Sequence, residues 1–145
     1  MSEVDHKDVA EKIIEALQLM DLRGYKTTDI KLKDWPLNTK PSFGLIVSPL
    51  REIDGDSSNR TNDVGYPVQL TRVLGSIDPS GGFDQRDNWR RDVYKRFNRV
   101  RLGLDQELMT RADFDQIEIS DAWKNWNLDA SVVVVTTWIR IAIGP

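Results

Sequence analysis

Apolar residues recur at helical spacing in two stretches of the chain. In the first, residues 5–22, the positions that share one helix face are Val9, Ile13, Leu17 and Met20. In the second, residues 84–102, the corresponding positions are Trp89, Val93, Phe97 and Val100. Asp84 is suited to cap the start of the second helix, and Gly103 is suited to end it. The pattern therefore predicts two amphipathic helices.

Alternating or β-branched segments predict the strands. They are residues 27–33, 43–48, 66–74, 115–120 and 130–143. The predicted order is α-β-β-β-α-β-β, and loops connect consecutive strands. Such an order favours an α+β fold with a mainly antiparallel sheet of about five strands and two helices packed on one face. The 145 residues fit a single domain, residues 1–145.

The segment 51–65, REIDGDSSNRTNDVG, is polar and rich in turn-forming residues. It separates the second and third predicted strands. Its length exceeds that of a tight hairpin turn, so the sequence predicts a polar loop at 51–65. Long loops within compact domains are often functional or mobile.

The last predicted strand is apolar on both faces. Its second face carries Val132, Val134 and Trp138, which solvent would contact if helices cover only the other side of the sheet. Exposing these side chains would forgo about 1.5–3 kcal/mol each. Two explanations stay open: a long loop of the same chain covers this face, or another subunit does. We expect Val132, Val134 and Trp138 to be subunit contacts.

Charge is unevenly distributed along the chain. Twenty basic and 23 acidic residues give a net charge of −3. Residues 86–101 alone contain seven basic and two acidic residues, a local charge of +5, which leaves −8 for the rest. Arg91, Lys95 and Arg99 follow at intervals of four opposite the apolar stripe, where like charges repel by about 0.2–0.5 kcal/mol per pair.

Three interpretations of this basic stripe remain open. It is a solvated outer face, it pairs with acidic residues of a neighbouring subunit or partner, or it faces nucleic acid phosphates. We do not expect sequence-specific reading of nucleic acid, because the chain lacks helix-turn-helix spacing and a strand motif of RNA-stacking aromatic residues.

The sequence offers little for catalysis or metal binding. It has no cysteine, and its one histidine, His6, lies in a polar N-terminal segment where we expect fraying. No serine stands in a GxSxG motif. The run starting at Asp54 fails as a calcium loop, because glycine is at its second place and Gly65 is at its twelfth. We predict a protein that is not an enzyme, has no cofactor or metal, and lacks a signal peptide or membrane span.

The element order resembles that of tail terminator proteins of long-tailed bacteriophages and of the wider group of small neck and tail-completion proteins. The resemblance covers most of the chain. Its features are the opening helix DVAEKIIEALQLM, the polar segment leading into DVGYPVQL at 63–70, the basic second helix and the long final strand.

The resemblance implies a homo-oligomeric ring, expected to be a hexamer, that caps the finished tail tube and joins it to the head connector or to other neck proteins. DNA would pass through the ring without being read. The protein would belong to the tail-neck region of the virion and assemble in the host cytoplasm. The polar segment would contact the tube or connector through Arg51, Asp54, Asp56, Arg60 and Asp63. Arg91, Lys95 and Arg99 would lie at a subunit seam, since DNA-conducting channels are often acidic.

A different class of function also fits the sequence. The chain could be a small cellular ligand-binding or regulatory α+β module, and an enzyme with an unobvious carboxylate site is a third alternative. A stable monomer with a deep apolar pocket would favour the ligand-binding module, whereas hexamers would favour the phage ring.

Overall fold

The computed structural model describes residues 4–20, 30–32, 44–58, 60–74, 79–114 and 129–142. It contains two helices, α1 (His6–Gln18) and α2 (Pro79–Phe97). The strands are β1 (Ile30–Leu32), β2 (Gly44–Pro49), β3 (Ile53–Ser57), β4 (Thr61–Leu74), β5 (Glu107–Asp113) and β6 (Asp129–Ala142).

The described strands form one sheet in the order β1-β2-β4-β6-β5. β6 pairs with β4 along its whole length, so β2 and β3 share the opposite edge of β4. Only β1 and β2 run parallel among these strands, and the other pairs are antiparallel. The predicted α+β fold with a mainly antiparallel sheet is thus confirmed. β3 is a strand that the sequence did not predict.

Both helices pack on the same face of the sheet. In α1, Val9, Ile13 and Leu17 are completely buried, and Trp89, Val93 and Phe97 of α2 join the same core. The sheet contributes alternate residues of its central strands: Leu45, Val47, Tyr66, Val68, Leu70, Val133, Val135 and Ile139. The helical and alternating spacings of the sequence therefore identify the core correctly.

A capping box starts α1. The backbone N–H of Asp8 donates to the Asp5 carboxylate at 2.9 Å, and the N–H of Asp5 donates to the Asp8 carboxylate at 3.0 Å. These bonds satisfy amide groups that have no partner within the helix.

The predicted loop at 51–65 is wrong, because β3 and the beginning of β4 form a hairpin there. The Ser58 N–H donates to the Thr61 carbonyl at 2.7 Å, and the two hydroxyl groups lie 2.9 Å apart. Every residue of β3 is exposed. A strand without a buried face shows no alternation of apolar and polar residues, so β3 could not be predicted from the sequence pattern.

The bounds of α2 also differ from the prediction. α2 starts at Pro79, before the expected Asp84, and ends at Phe97 rather than near Gly103. It ends early because Arg99 adopts a left-handed φ of 59° and the next residue pairs with β5. β5 (Glu107–Asp113) is a further strand that the sequence did not predict. The strand predicted at 115–120 lies outside the described residues.

Candidate protein-interaction surfaces

The hairpin strand β3 presents unpaired acids at one edge of the sheet. Asp54 and Asp56 are exposed, and neither has a salt-bridge partner within the described parts of the chain. Ile53, next to them, is 45% exposed. We call Ile53, Asp54 and Asp56 the β3 edge. Charged side chains on an edge strand discourage indiscriminate strand pairing while leaving a surface for a complementary partner.

Trp138 fastens this hairpin to the sheet. It lies directly opposite Gly65 in the β4–β6 register. A Cβ atom added to Gly65 would lie 3.0 Å from Trp138 Cη2, and one added to Gly55 would lie 2.6 Å from Trp138 Cζ3. The indole ring therefore fills the space that a side chain would occupy at both glycines.

An apolar row, exposed at its two ends, crosses the face of the sheet that carries no helix. Its members stand in register on β3, β4, β6 and β5: Ile53, Gly65, Trp138 and Met109. Met109 is 39% exposed, and Trp138 is partly exposed. The row thus ends in an exposed apolar side chain at both sides.

Val132 and Val134 do not extend this exposed row. Each is only 8% exposed in a single copy of the chain. The expectation that these two valines need a second subunit to cover them is therefore wrong. Of the three apolar residues proposed as subunit contacts, only Trp138 keeps an accessible surface.

Asp63 forms a bidentate ion pair with Arg140, its cross-strand neighbour. Arg140 Nε donates to Asp63 Oδ1 at 2.9 Å, and Nη2 donates to Oδ2 at 3.3 Å. This bonding lowers the pKa of Asp63 and raises the pKa of Arg140. Because Asp63 is 7% exposed and already paired, its prediction as a tube or connector contact is wrong.

His6 joins α1 to the base of the hairpin. Its Nε2 lies 2.8 Å from the Pro67 carbonyl oxygen, and its Nδ1 lies 3.3 Å from Glu52 Oε1. The carbonyl only accepts, so Nε2 carries a proton, and Nδ1 donates to Glu52 when the ring is protonated. The pKa of Glu52 is lowered by a backbone hydrogen bond and by His6. His6 is 14% exposed and belongs to the first helical turn, contrary to the expected fraying.

Basic side chains gather where α2 ends. Arg91 is already paired with Asp87 at 2.9 Å. Lys95 and Arg99 are exposed, and the structure shows no salt bridge from either to any residue it describes. Arg99 lies beyond the helix, so the expected stripe on a single helical face is wrong at that position. We call Lys95, Arg99 and the exposed Arg101 the basic corner.

Backbone pairing holds the basic corner on the outer edge of β5. The Arg99 N–H donates to the Thr110 carbonyl at 2.8 Å, and the Thr110 N–H donates to the Val100 carbonyl at 2.8 Å. Glu107 then accepts the N–H groups of the next turn, those of Leu102, Gly103 and Leu104. Glu107 was not predicted from the sequence, because a single glutamate after a turn carries no recognisable pattern.

A cleft lies between the outer face of α1 and the turn at 103–105. Its volume is about 340 Å³, and most of its lining is charged: Asp8, Glu11, Lys12, Glu15 and Asp105. Ligand pockets are predominantly apolar. Within the described ranges, no group of three or more His, Cys, Asp or Glu residues could hold a metal ion.

Comparison of the sequence with protein families finds no match, and comparison with curated proteins finds none either. In the part of the chain that is described, no helix is long and apolar enough to cross a membrane.

Proposed function

We propose that this protein is a ring-forming structural component of the tail-neck region of a long-tailed bacteriophage. It caps the tail tube and joins it to the head connector, either as the tail terminator or as another neck protein. It acts as a homo-oligomer, a hexamer by the resemblance, in the virion, and it assembles in the host cytoplasm. DNA passes through the ring without sequence reading.

The observation that carries this proposal is the exposed hairpin strand on a fold with the expected element order. Every residue of β3 is exposed in the single chain, and its two aspartates have no salt bridge to a described residue. Because no residue of β3 belongs to the core, its side chains are accessible for contact with another molecule. The exposed charged residues of this hairpin remain the contact candidates: Arg51, Asp54, Asp56 and Arg60.

The alternative of a ligand-binding or regulatory module gains less support. The cleft beside α1 is open to solvent and lined mainly by charged side chains rather than apolar ones. We therefore favour the structural role.

The proposal is tested by measuring the mass of the purified chain. Sedimentation velocity over a wide concentration range, alone and with isolated phage tail tubes, should reveal rings in solution or on the tubes. Electron microscopy should show these rings at tube ends. The double variant Arg51→Glu/Arg60→Glu should still form rings but should bind tubes or connectors more weakly. A chain that stays monomeric and binds neither structure would contradict the proposal.

A further inference from the structure

Unpaired charges of opposite sign lie on opposite edges of the sheet. The β3 edge is acidic, and the basic corner lies beyond β5. Both are at the same end of the sheet, because the register aligns Ile53 with Met109 and Arg99 pairs with Thr110, the residue next to Met109. The two surfaces are therefore level with each other on either side of one subunit.

These charges cannot neutralise each other within one chain. β4, β6 and β5 lie between β3 and the segment 99–100, which makes four strand spacings. At about 4.8 Å per spacing the separation is about 19 Å. That distance exceeds the reach of a lysine and an aspartate together, so the two surfaces cannot pair with each other within one chain. Arg140 acts electrostatically on Asp56, but its salt bridge is to Asp63.

We propose that the β3 edge of one copy docks on the basic corner of the next copy. Asp54 and Asp56 then pair with Lys95 and Arg99. The inference rests on the proposed ring and names the surfaces that build it. It leaves the hairpin tip, with Arg60, for the tube or connector.

The exposed apolar residues support the same pairing. Ile53 flanks the acids at one edge, and Met109 flanks the basic corner at the other. Docking brings these two ends of the apolar row together and removes both from water. The charges then supply orientation and a faster encounter more than affinity.

The geometry of this contact is head-to-tail. Two different surfaces meet, so the interface is heterologous. One subunit keeps its basic corner free and the other keeps its β3 edge free, so the pair still has one free surface of each sign. Repeating such a contact gives a closed ring when the rotation permits, and an open filament otherwise.

A charge-swap experiment tests the inference. The acidic-edge variant is Asp54→Lys/Asp56→Lys, and the basic-corner variant is Lys95→Glu/Arg99→Glu. Each variant has two edges of like sign and should sediment as a monomer where the wild type is assembled. An equimolar mixture should recover assembly, because each reversed edge then meets a complementary edge. Far-UV circular dichroism verifies that each variant is folded. The neutral variants Asp54→Asn/Asp56→Asn and Lys95→Gln/Arg99→Gln should weaken assembly less than the charge reversals do.

The control variant Glu11→Lys/Glu15→Lys makes the same charge change on the outer face of α1 and should assemble normally. If each edge variant assembles on its own like the wild type, the proposed pairing of the two edges is wrong, whereas the proposed ring is not contradicted. If the wild type stays monomeric with and without tubes, both proposals fail. If the basic-corner variant assembles normally but loses salt-sensitive binding to DNA, the corner serves nucleic acid and the inference is overturned.

Discussion

Replacing Gly55 by alanine should destabilise the fold by crowding Trp138. The new Cβ would lie 2.6 Å from Cζ3 of the indole and 3.1 Å from the Asp63 carbonyl oxygen. Carbon atoms prefer a separation of about 3.5–4.0 Å, so the ring must move by about 1 Å. Overpacking costs about 1–3 kcal/mol, and the partly exposed indole can tilt, which favours the lower end.

A smaller effect acts in the opposite direction. Alanine restricts the unfolded chain and stabilises the fold by about 0.4–1 kcal/mol where its conformation fits. We therefore expect Gly55→Ala to lower the free energy of unfolding by about 1 kcal/mol. Urea unfolding followed by far-UV circular dichroism measures the shift of the midpoint at constant slope.

A double-mutant cycle identifies the cause. Leucine at position 138 lacks the outer ring atoms, so in a Trp138→Leu background Gly55→Ala should be neutral or slightly stabilising. Gly103→Ala is the matched control. Gly103 has a φ of 89° and open space where a Cβ would be, so alanine there costs backbone strain, about 1–2 kcal/mol. That cost should be equal in both backgrounds. If Gly55→Ala leaves the stability unchanged or raises it while Trp138 is present, the reasoning is refuted.

Two further predictions concern ion pairing and helix capping. Arg140 lowers the pKa of Asp63 below its ordinary 3.8. Ionised Asp63 therefore adds stability that is complete above that unfolded value and is lost as pH falls through the lower folded pKa. Asp63→Asn should be less stable than the wild type at neutral pH, and the two urea midpoints should converge in strong acid; a gap that persists there contradicts the ion-pair explanation. Asp5→Ala removes the cap on the Asp8 amide and should cost about 1 kcal/mol, visible as a lower melting temperature. An unchanged melting temperature would show that the cap contributes nothing.

The sequence predicted both helices and the strands β2, β4 and β6, all of which contribute apolar residues to the core. Val9, Ile13 and Leu17 repeat at helical spacing because the core selects for apolar residues on that face alone. The same reasoning identified the core face of β6 through Val133 and Val135. Burial is the physical cause of the pattern, so fully exposed segments leave no pattern. β3 is such a segment, and it was predicted as a loop.

Contacts between residues that are distant along the chain could not be predicted from the sequence either. Asp63 lies 77 residues from Arg140, and nothing local distinguishes a paired aspartate from a solvated one. The prediction of the basic stripe assumed an unbroken helix, but backbone pairing of Arg99 with Thr110 ends the helix before Arg99. The unpaired acids and bases at the two edges were visible only as a charge imbalance, because their alignment depends on strand register.

The Glu107 carboxylate determines how much freedom the turn after α2 retains. Three backbone amides of residues 102–104 are bound to it, and Arg99 and Val100 are bound to Thr110. A loop that must be ordered on association loses conformational entropy at that moment, whereas this turn is preorganised within the isolated subunit. Loosening it, for example by Glu107→Ala, would therefore slow the growth of the proposed ring even though no charge at the proposed contact surface has changed.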